Sequence, residues 1–230
     1  MKKNLLPRWN VIPPHLLYTV KEEIANSLTH GVGVVLSIIA LIALILLARK
    51  YGNMWVVFSF TVYGVTQILV YLSSTLYHSI QHPQIKQIFQ VIDHSTIFLL
   101  IAGAHTPFLI IALGQKMGWL LLMIVWGLAF LGVGYKVLFV DKYQQLSSIG
   151  YVLMAFVFAL AGKALFTTLS KETLILIGVG GASYLLGLIF AAWRQRPYSH
   201  AVWHLFVIGG SLSHFFAVLH LLPGYLNPIL

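Results

Sequence analysis

His200 and His204 stand four residues apart at the head of the last long apolar run of the chain. A helix turns about 100° per residue, so such a pair lies one turn apart on one face and can share a metal ion. A zinc centre needs three or four nitrogen or oxygen donors. The sequence offers rivals for the third place at His30, His78, His82 and His94. His78 is preferred because Ser74 lies one turn below it and can support the site by hydrogen bonding. Asp93 falls at the same layer and is suited to hold, or take a proton from, a water bound to the metal. That chemistry is hydrolysis. Asp93 and Ser74 are therefore the candidate catalytic residues, and His78, His200 and His204 the candidate ligands.

The elements that must position these residues are membrane helices. Of 230 residues 59% are hydrophobic and 8% charged, against about a quarter charged in a soluble domain. The absence of cysteine excludes disulfides, thiolate ligands and cysteine nucleophiles. The net charge of +9 does not point to nucleic acid, because the basic residues sit between apolar runs and form no aromatic-interleaved patch. Seven spans of about 20 residues are expected at 29–48, 54–77, 90–112, 119–140, 147–169, 173–193 and 201–222. They form an all-α bundle, preceded by a tail and short interfacial helix (1–28) and followed by a short tail (223–230). No cleaved signal peptide is evident. Lys136 and Lys163 lie in or near apolar runs and are expected to snorkel to an interface.

With seven spans, parity puts His30, His78, Asp93, His94, His200 and His204 at one membrane face, together with Glu23 and Asn26. A cytoplasmic N-terminus leaves Lys2, Lys3, Arg8, Lys21, Lys86, Lys136, Lys142, Arg194 and Arg196 inside. That is nine of the 14 Lys and Arg, the orientation that the positive-inside rule favours. Glu23, Asn26 and His30 form a candidate polar cluster next to the metal. Glycines in the fourth span (Gly127, Gly132, Gly134) and sixth (Gly178, Gly180, Gly181, Gly187) are expected to let helices approach closely. Two readings of His105 and His214 compete: that each simply bonds a backbone carbonyl, which is preferred, and that they face each other deeper in the bundle as a second polar site beside a kink at Pro107.

Three blocks together resemble the haemolysin III family, the bacterial branch of the progestin and adipoQ receptor superfamily. They are Glu23-x-x-Asn26-x-x-Thr29-His30 with Gly31-Val32-Gly33, then Ser74-x-x-x-His78 followed by Asp93 and Pro107, then His200-x-x-x-His204. The resemblance covers nearly the whole chain. It implies a seven-helix bundle in the bacterial plasma membrane with its N-terminus in the cytoplasm. It also implies zinc on His78, His200 and His204, Asp93 meeting the ion through water, and Ser74 in support. The superfamily is similar to alkaline ceramidases, which hydrolyse a lipid amide, so a membrane lipid with an acyl chain is the expected partner. Two other functions compete: a membrane-homeostasis regulator with structural zinc, and a pore-forming cytolysin. The second requires a polar stripe from face to face, which the sequence lacks.

Overall fold

The structure, a computed structural model, describes residues 18–139, 144–193 and 195–222. The expectations for the tails, for the Asp141-Lys142 break and for Arg194 lie outside these residues. All regular structure among the described residues is helical. Six helices are long and apolar enough to cross a membrane, and a bent pair makes a seventh if counted as one span.

The first helix, α1 (Val20–Tyr51), begins at Thr19. The Thr19 side chain accepts from the Glu22 backbone N–H while the Glu22 carboxylate accepts from the Thr19 N–H, a reciprocal cap. Arg49 and Lys50 in its last turn suit the negative end of the helix dipole. At 32 residues it is about 48 Å long, well beyond the ~30 Å hydrocarbon core. The interfacial helix expected before the first span is therefore not separate; it is the first two turns of α1. Glu23, Asn26, His30, Gly33, Ser37, Leu44 and Ala48 are its buried residues. They repeat every three or four positions, a single stripe that is polar at one end and apolar at the other.

Helix α2 (Met54–Ser79) starts where the Asn53 side chain accepts from the N–H groups of Trp55 and Val56. Helix α3 (Pro83–Pro107) begins seven residues earlier than the expected 90, with Pro83 in its first turn. It continues as a π-helical stretch, Phe108–Leu113, directly after Pro107. Proline brings no N–H and its ring disturbs the preceding turn, so the expected distortion takes the form of a widened helix. Helix α4 (Gln115–Phe139) follows. The fifth span is not one helix: α5 (Gln144–Ala155), α6 (Val157–Leu160) and α7 (Gly162–Thr168) replace it. The direction changes by 63° between Leu146–Leu160 and Gly162–Thr168, with glycine, a poor helix former, at the break. Helix α8 (Lys171–Ala192), capped by Ser170, and α9 (Ser199–Leu219) complete the bundle.

Helix α1 packs against both α2 and α9, α2 against α3, α3 against α4, and α8 against α9. The first turns of α1 thus stand between the end of α2 and the start of α9. The interior has two halves. Away from that end, Leu44, Ala48, Phe60, Phe108, Leu109, Val125, Ala217 and Val218 form a tightly packed apolar core. Nearer to it, Tyr71 and Tyr184 hydrogen-bond Ser211 Oγ at 2.6 and 2.9 Å, and Tyr63 donates to the Ser211 carbonyl at 3.2 Å. Large apolar side chains such as Val35, Ile39, Leu131, Leu160 and Leu212 point outward, as lipid-facing residues do.

Only some of the glycines make close helix contacts. A Cβ on Gly132 would strike Phe98, one on Gly180 would strike His214, and one on Gly187 would strike Trp203 and Phe206. Gly127, Gly134, Gly178 and Gly181 have nothing within 4 Å. The tightest approach is elsewhere, at Gly103 of α3 against the Thr66 side chain of α2. Gly103→Ala should therefore destabilise the bundle by about 1–3 kcal/mol, while Gly127→Ala should be neutral or slightly stabilising. Thermal unfolding of the two variants in one detergent checks this.

Candidate metal centre

His78 lies in the last turn of α2 and is buried. His200 and His204 lie in the first turns of α9. That helix starts at Ser199, directly after Tyr198, whose φ of 60° puts it in the left-handed region that a non-glycine residue adopts only at a cost. The Tyr198 N–H donates to Glu22 Oε1 at 3.1 Å, so the capping residue of α1 also holds the entry to α9. The result is one group: ligand nitrogens of His78, His200 and His204 all within 4.8 Å of one another. Nitrogens bound to a tetrahedral ion at ~2.0–2.1 Å stand about 3.3 Å apart. An inward shift of roughly 1 Å closes the group on an ion.

Hydrogen bonds from α1 set the tautomers. His78 Nδ1 is 2.6 Å from Glu23 Oε2, so it carries the proton and Nε2 presents its electron pair. His78 Nε2 is buried and has no hydrogen-bond partner, which is expensive for a polar atom unless something binds it. His204 Nδ1 lies 3.1 Å from the Asn26 carbonyl oxygen and 3.0 Å from Thr29 Oγ1. The Thr29 hydroxyl already donates to the carbonyls of Ala25 and Asn26. It must accept from His204, so Nδ1 is protonated there too and Nε2 is the donor to a metal. A ligating imidazole whose other nitrogen donates to a carboxylate or carbonyl is the usual arrangement around a bound metal. The residues fit the ion.

The remaining candidates divide. His30 stacks on His204, with ring centroids 3.5 Å apart and planes at 14°, and its ring nitrogens make no hydrogen bond. Asn26 Nδ2 is 3.5 Å from His78 Nδ1. Glu23, Asn26 and His30 thus all adjoin the ligand histidines. His82 is exposed at the start of α3, and the His94 ring lies 6.4 Å from that of Tyr77; neither joins the group. Asp93 is buried and lies outside the tight donor set. Its carboxyl adjoins Ser74, although Ser74 Oγ completes no hydrogen bond of good geometry.

Sequence reasoning missed several neighbours. Lys136 is not at an interface: it is 2% exposed and interacts with the Asp93 carboxylate. An ammonium group buried there is costly unless an opposite charge lies close by, and Asp93 is that charge. Tyr151 also adjoins Asp93. The ring of Tyr18 lies 5.1 Å from that of His200 and 5.7 Å from that of His78. Lys86 is fully buried. Lys86, Gln90 and Asp93 recur at i, i+4 and i+7 and are all buried, a signal that becomes readable once α3 starts at Pro83. Deeper in the bundle, His105 and His214 each bond a backbone carbonyl, the preferred reading. His105 Nδ1 bonds the Ile101 carbonyl at 2.7 Å and His214 Nε2 the Ile177 carbonyl at 3.3 Å.

Replacing His78 or His204 by alanine should cost more metal affinity than the roughly 10–100-fold typical of outer partners, while His82→Ala should leave it unchanged. Titration of the purified variants with zinc or cobalt measures the difference.

Comparison with known proteins agrees with this layout. The family profile described as Haemolysin-III related matches residues 18–215. The chain is 48% identical to a Hemolysin-3 homolog of Bacillus subtilis (strain 168) over 203 residues, covering 88% of this chain and 95% of that one. It is 49% identical to Hemolysin-3 of Bacillus cereus over 205 residues, covering 89% and 94%. A more distant relative, the human Monocyte to macrophage differentiation factor, is 27% identical over 210 residues, covering 87% and 84%. A buried histidine group on a helical membrane scaffold and a match over most of the chain lead to one conclusion: the chain belongs to the haemolysin III family, the bacterial branch of the progestin and adipoQ receptor superfamily.

Proposed function

We propose that this protein is a zinc-dependent hydrolase of the bacterial plasma membrane, acting on a lipid amide or ester. The bent fifth element counts as one span, giving seven, with the N-terminus and the histidine group on the cytoplasmic side. Nine of the 14 Lys and Arg on that side support the orientation. The observation that carries the reading is the convergence of three imidazoles, and no more, from α2 and α9. Among the described residues no fourth histidine or carboxylate belongs to the tight donor group. Three protein ligands with an open position are the mark of catalytic rather than structural zinc, which favours hydrolysis over a purely structural role.

Zinc bound there would supply Lewis acidity and lower the pKa of water to about 7. The protein's part lies in placement. The Glu23 carboxylate and the Asn26 carbonyl fix two of the imidazole rings by accepting hydrogen bonds from their Nδ1–H groups. Asp93 serves as the general base that receives the proton of the attacking water, and Ser74 steadies its carboxyl. The apolar half of the bundle keeps bulk water from the far side. The substrate is a lipid because the site lies in a chain whose outer surface is apolar over most of its length.

Ceramide, phospholipid and acyl-homoserine lactone substrates, offered to zinc-loaded protein in lipid nanodiscs, test the reading. Turnover of at least one class is expected, with Asp93→Asn lowering kcat by about 10²–10⁴ and leaving bound zinc unchanged. Full zinc occupancy with no turnover of any of the three contradicts it.

A further inference from the structure

Lys86 has no role in the chemistry above, yet it is one of the largest side chains with no exposure at all. A lysine ammonium is strongly hydrated and has three N–H donors. Burying it in a membrane protein is costly unless each donor finds an acceptor. Lys86 Nζ has three. It donates to the Tyr77 carbonyl at 2.8 Å and the Ile80 carbonyl at 3.3 Å, and it lies 2.8 Å from Glu23 Oε1. The last contact is an ion pair without well-aimed hydrogen-bond geometry. The ammonium also stands over the Tyr77 ring, 4.7 Å from its centroid.

The places it touches have one thing in common. Tyr77 is the residue before His78, so its carbonyl belongs to the peptide that leads into the His78 backbone. Glu23 is the residue whose other oxygen accepts the hydrogen bond of His78 Nδ1–H. Lys86 therefore grips His78 at both ends: through the main chain of α2 on one side and through the carboxylate of α1 on the other. It does so from α3, so a single side chain ties three helices at the point where a ligand must be aimed. A free carboxylate beside an imidazole can rotate and swing the ring with it. A carboxylate with one oxygen on an ammonium and the other on the imidazole cannot.

We propose that Lys86 is a positioning residue for the metal centre, acting through Glu23 to hold His78 in the Nδ1–H tautomer with Nε2 directed at the ion. This rests on the metal reading above. It goes further by assigning to a buried lysine on α3 the rigidity of a ligand on α2. Gln90 and Asp93 continue the same face of α3, so one helix face supports the ligand and carries the proposed base.

Lys86→Met alone leaves Glu23 buried without its cation and can fail to fold. The test therefore uses Glu23→Gln and the charge-neutral double variant Lys86→Met/Glu23→Gln beside the single one. Two readouts are taken on protein that passes a thermal-unfolding check. The first is zinc affinity. Lys86→Met should bind about 10–100-fold more weakly than wild type. The double variant should match Glu23→Gln rather than add to it, since both remove one linkage. The second, on metal-free protein, is the His78 ring ¹⁵N spectrum: a single Nδ1–H tautomer in wild type, a mixture in both Lys86 variants. Should Lys86→Met fail to fold, Lys86→Gln, which keeps two N–H donors but removes the charge, carries both readouts. Wild-type affinity in folded Lys86→Met or in the double variant, or an unchanged His78 tautomer, overturns the role of Lys86. A wild-type protein with the single tautomer but no stoichiometric zinc overturns the metal reading and leaves the tautomer result to stand alone.

Discussion

A 2.6 Å contact between the Glu23 carboxylate and the Nδ1 atom of His78 is the interaction on which the site depends. Imidazole is a metal ligand only through a deprotonated nitrogen, and which nitrogen that is follows from the bond made by the other. In water the choice is loose. Inside a helical bundle in lipid it has to be imposed by the protein, because no solvent is at hand to satisfy whichever nitrogen is left over. The first turns of α1 do this twice, through the side chain of Glu23 for His78 and the main chain of Asn26 for His204. They can do so because α1 runs past its span and packs between α2 and α9. A separate interfacial helix joined by a flexible link would not give the same precision.

Concentrating polar groups in one half of the interior has a physical logic. Glu23, Lys86, Asp93 and Lys136 are four buried ionisable side chains in a chain with few charged residues of any kind. Each charge costs several kcal/mol to desolvate, and this is offset only if opposite charges and hydrogen bonds are close by. Glu23 faces Lys86 and Asp93 faces Lys136, so the charges are placed in opposite-sign pairs. The other half of the bundle is sealed by Leu44, Phe60, Phe108, Leu109 and their neighbours. The buried carboxylate–lysine pairs thus sit together in one half, where a one-sided catalytic site requires them.

Much of this was legible in the sequence. Helical spacing placed His200 beside His204, and span parity brought His78 and Asp93 to the same layer without any coordinates. The block holding Glu23, Asn26 and His30 was readable as a polar cluster. Its division of labour was not, because the partner of His204 is the Asn26 carbonyl, a main-chain atom that every residue possesses. Lys86 was hidden for a different reason. With α3 started at residue 90 it fell in a loop, and the stripe of Lys86, Gln90 and Asp93 became visible only once Pro83 opened the helix. Lys136 was misplaced because a lysine near the end of an apolar run reads as one reaching for the surface, and nothing local in the sequence names a buried carboxylate from another helix as its partner. The broken fifth span left a faint local trace, the Gly162-Lys163 pair within an otherwise mostly apolar run, too little to name a bend.

X-ray absorption at the zinc K-edge of purified, zinc-replete protein is the most direct test of the central claim. Four nitrogen or oxygen neighbours at about 2.0–2.1 Å, with the outer-shell scattering of three imidazole rings, are the expected result. A shell made of oxygen alone, or with fewer than three imidazoles, would contradict the account.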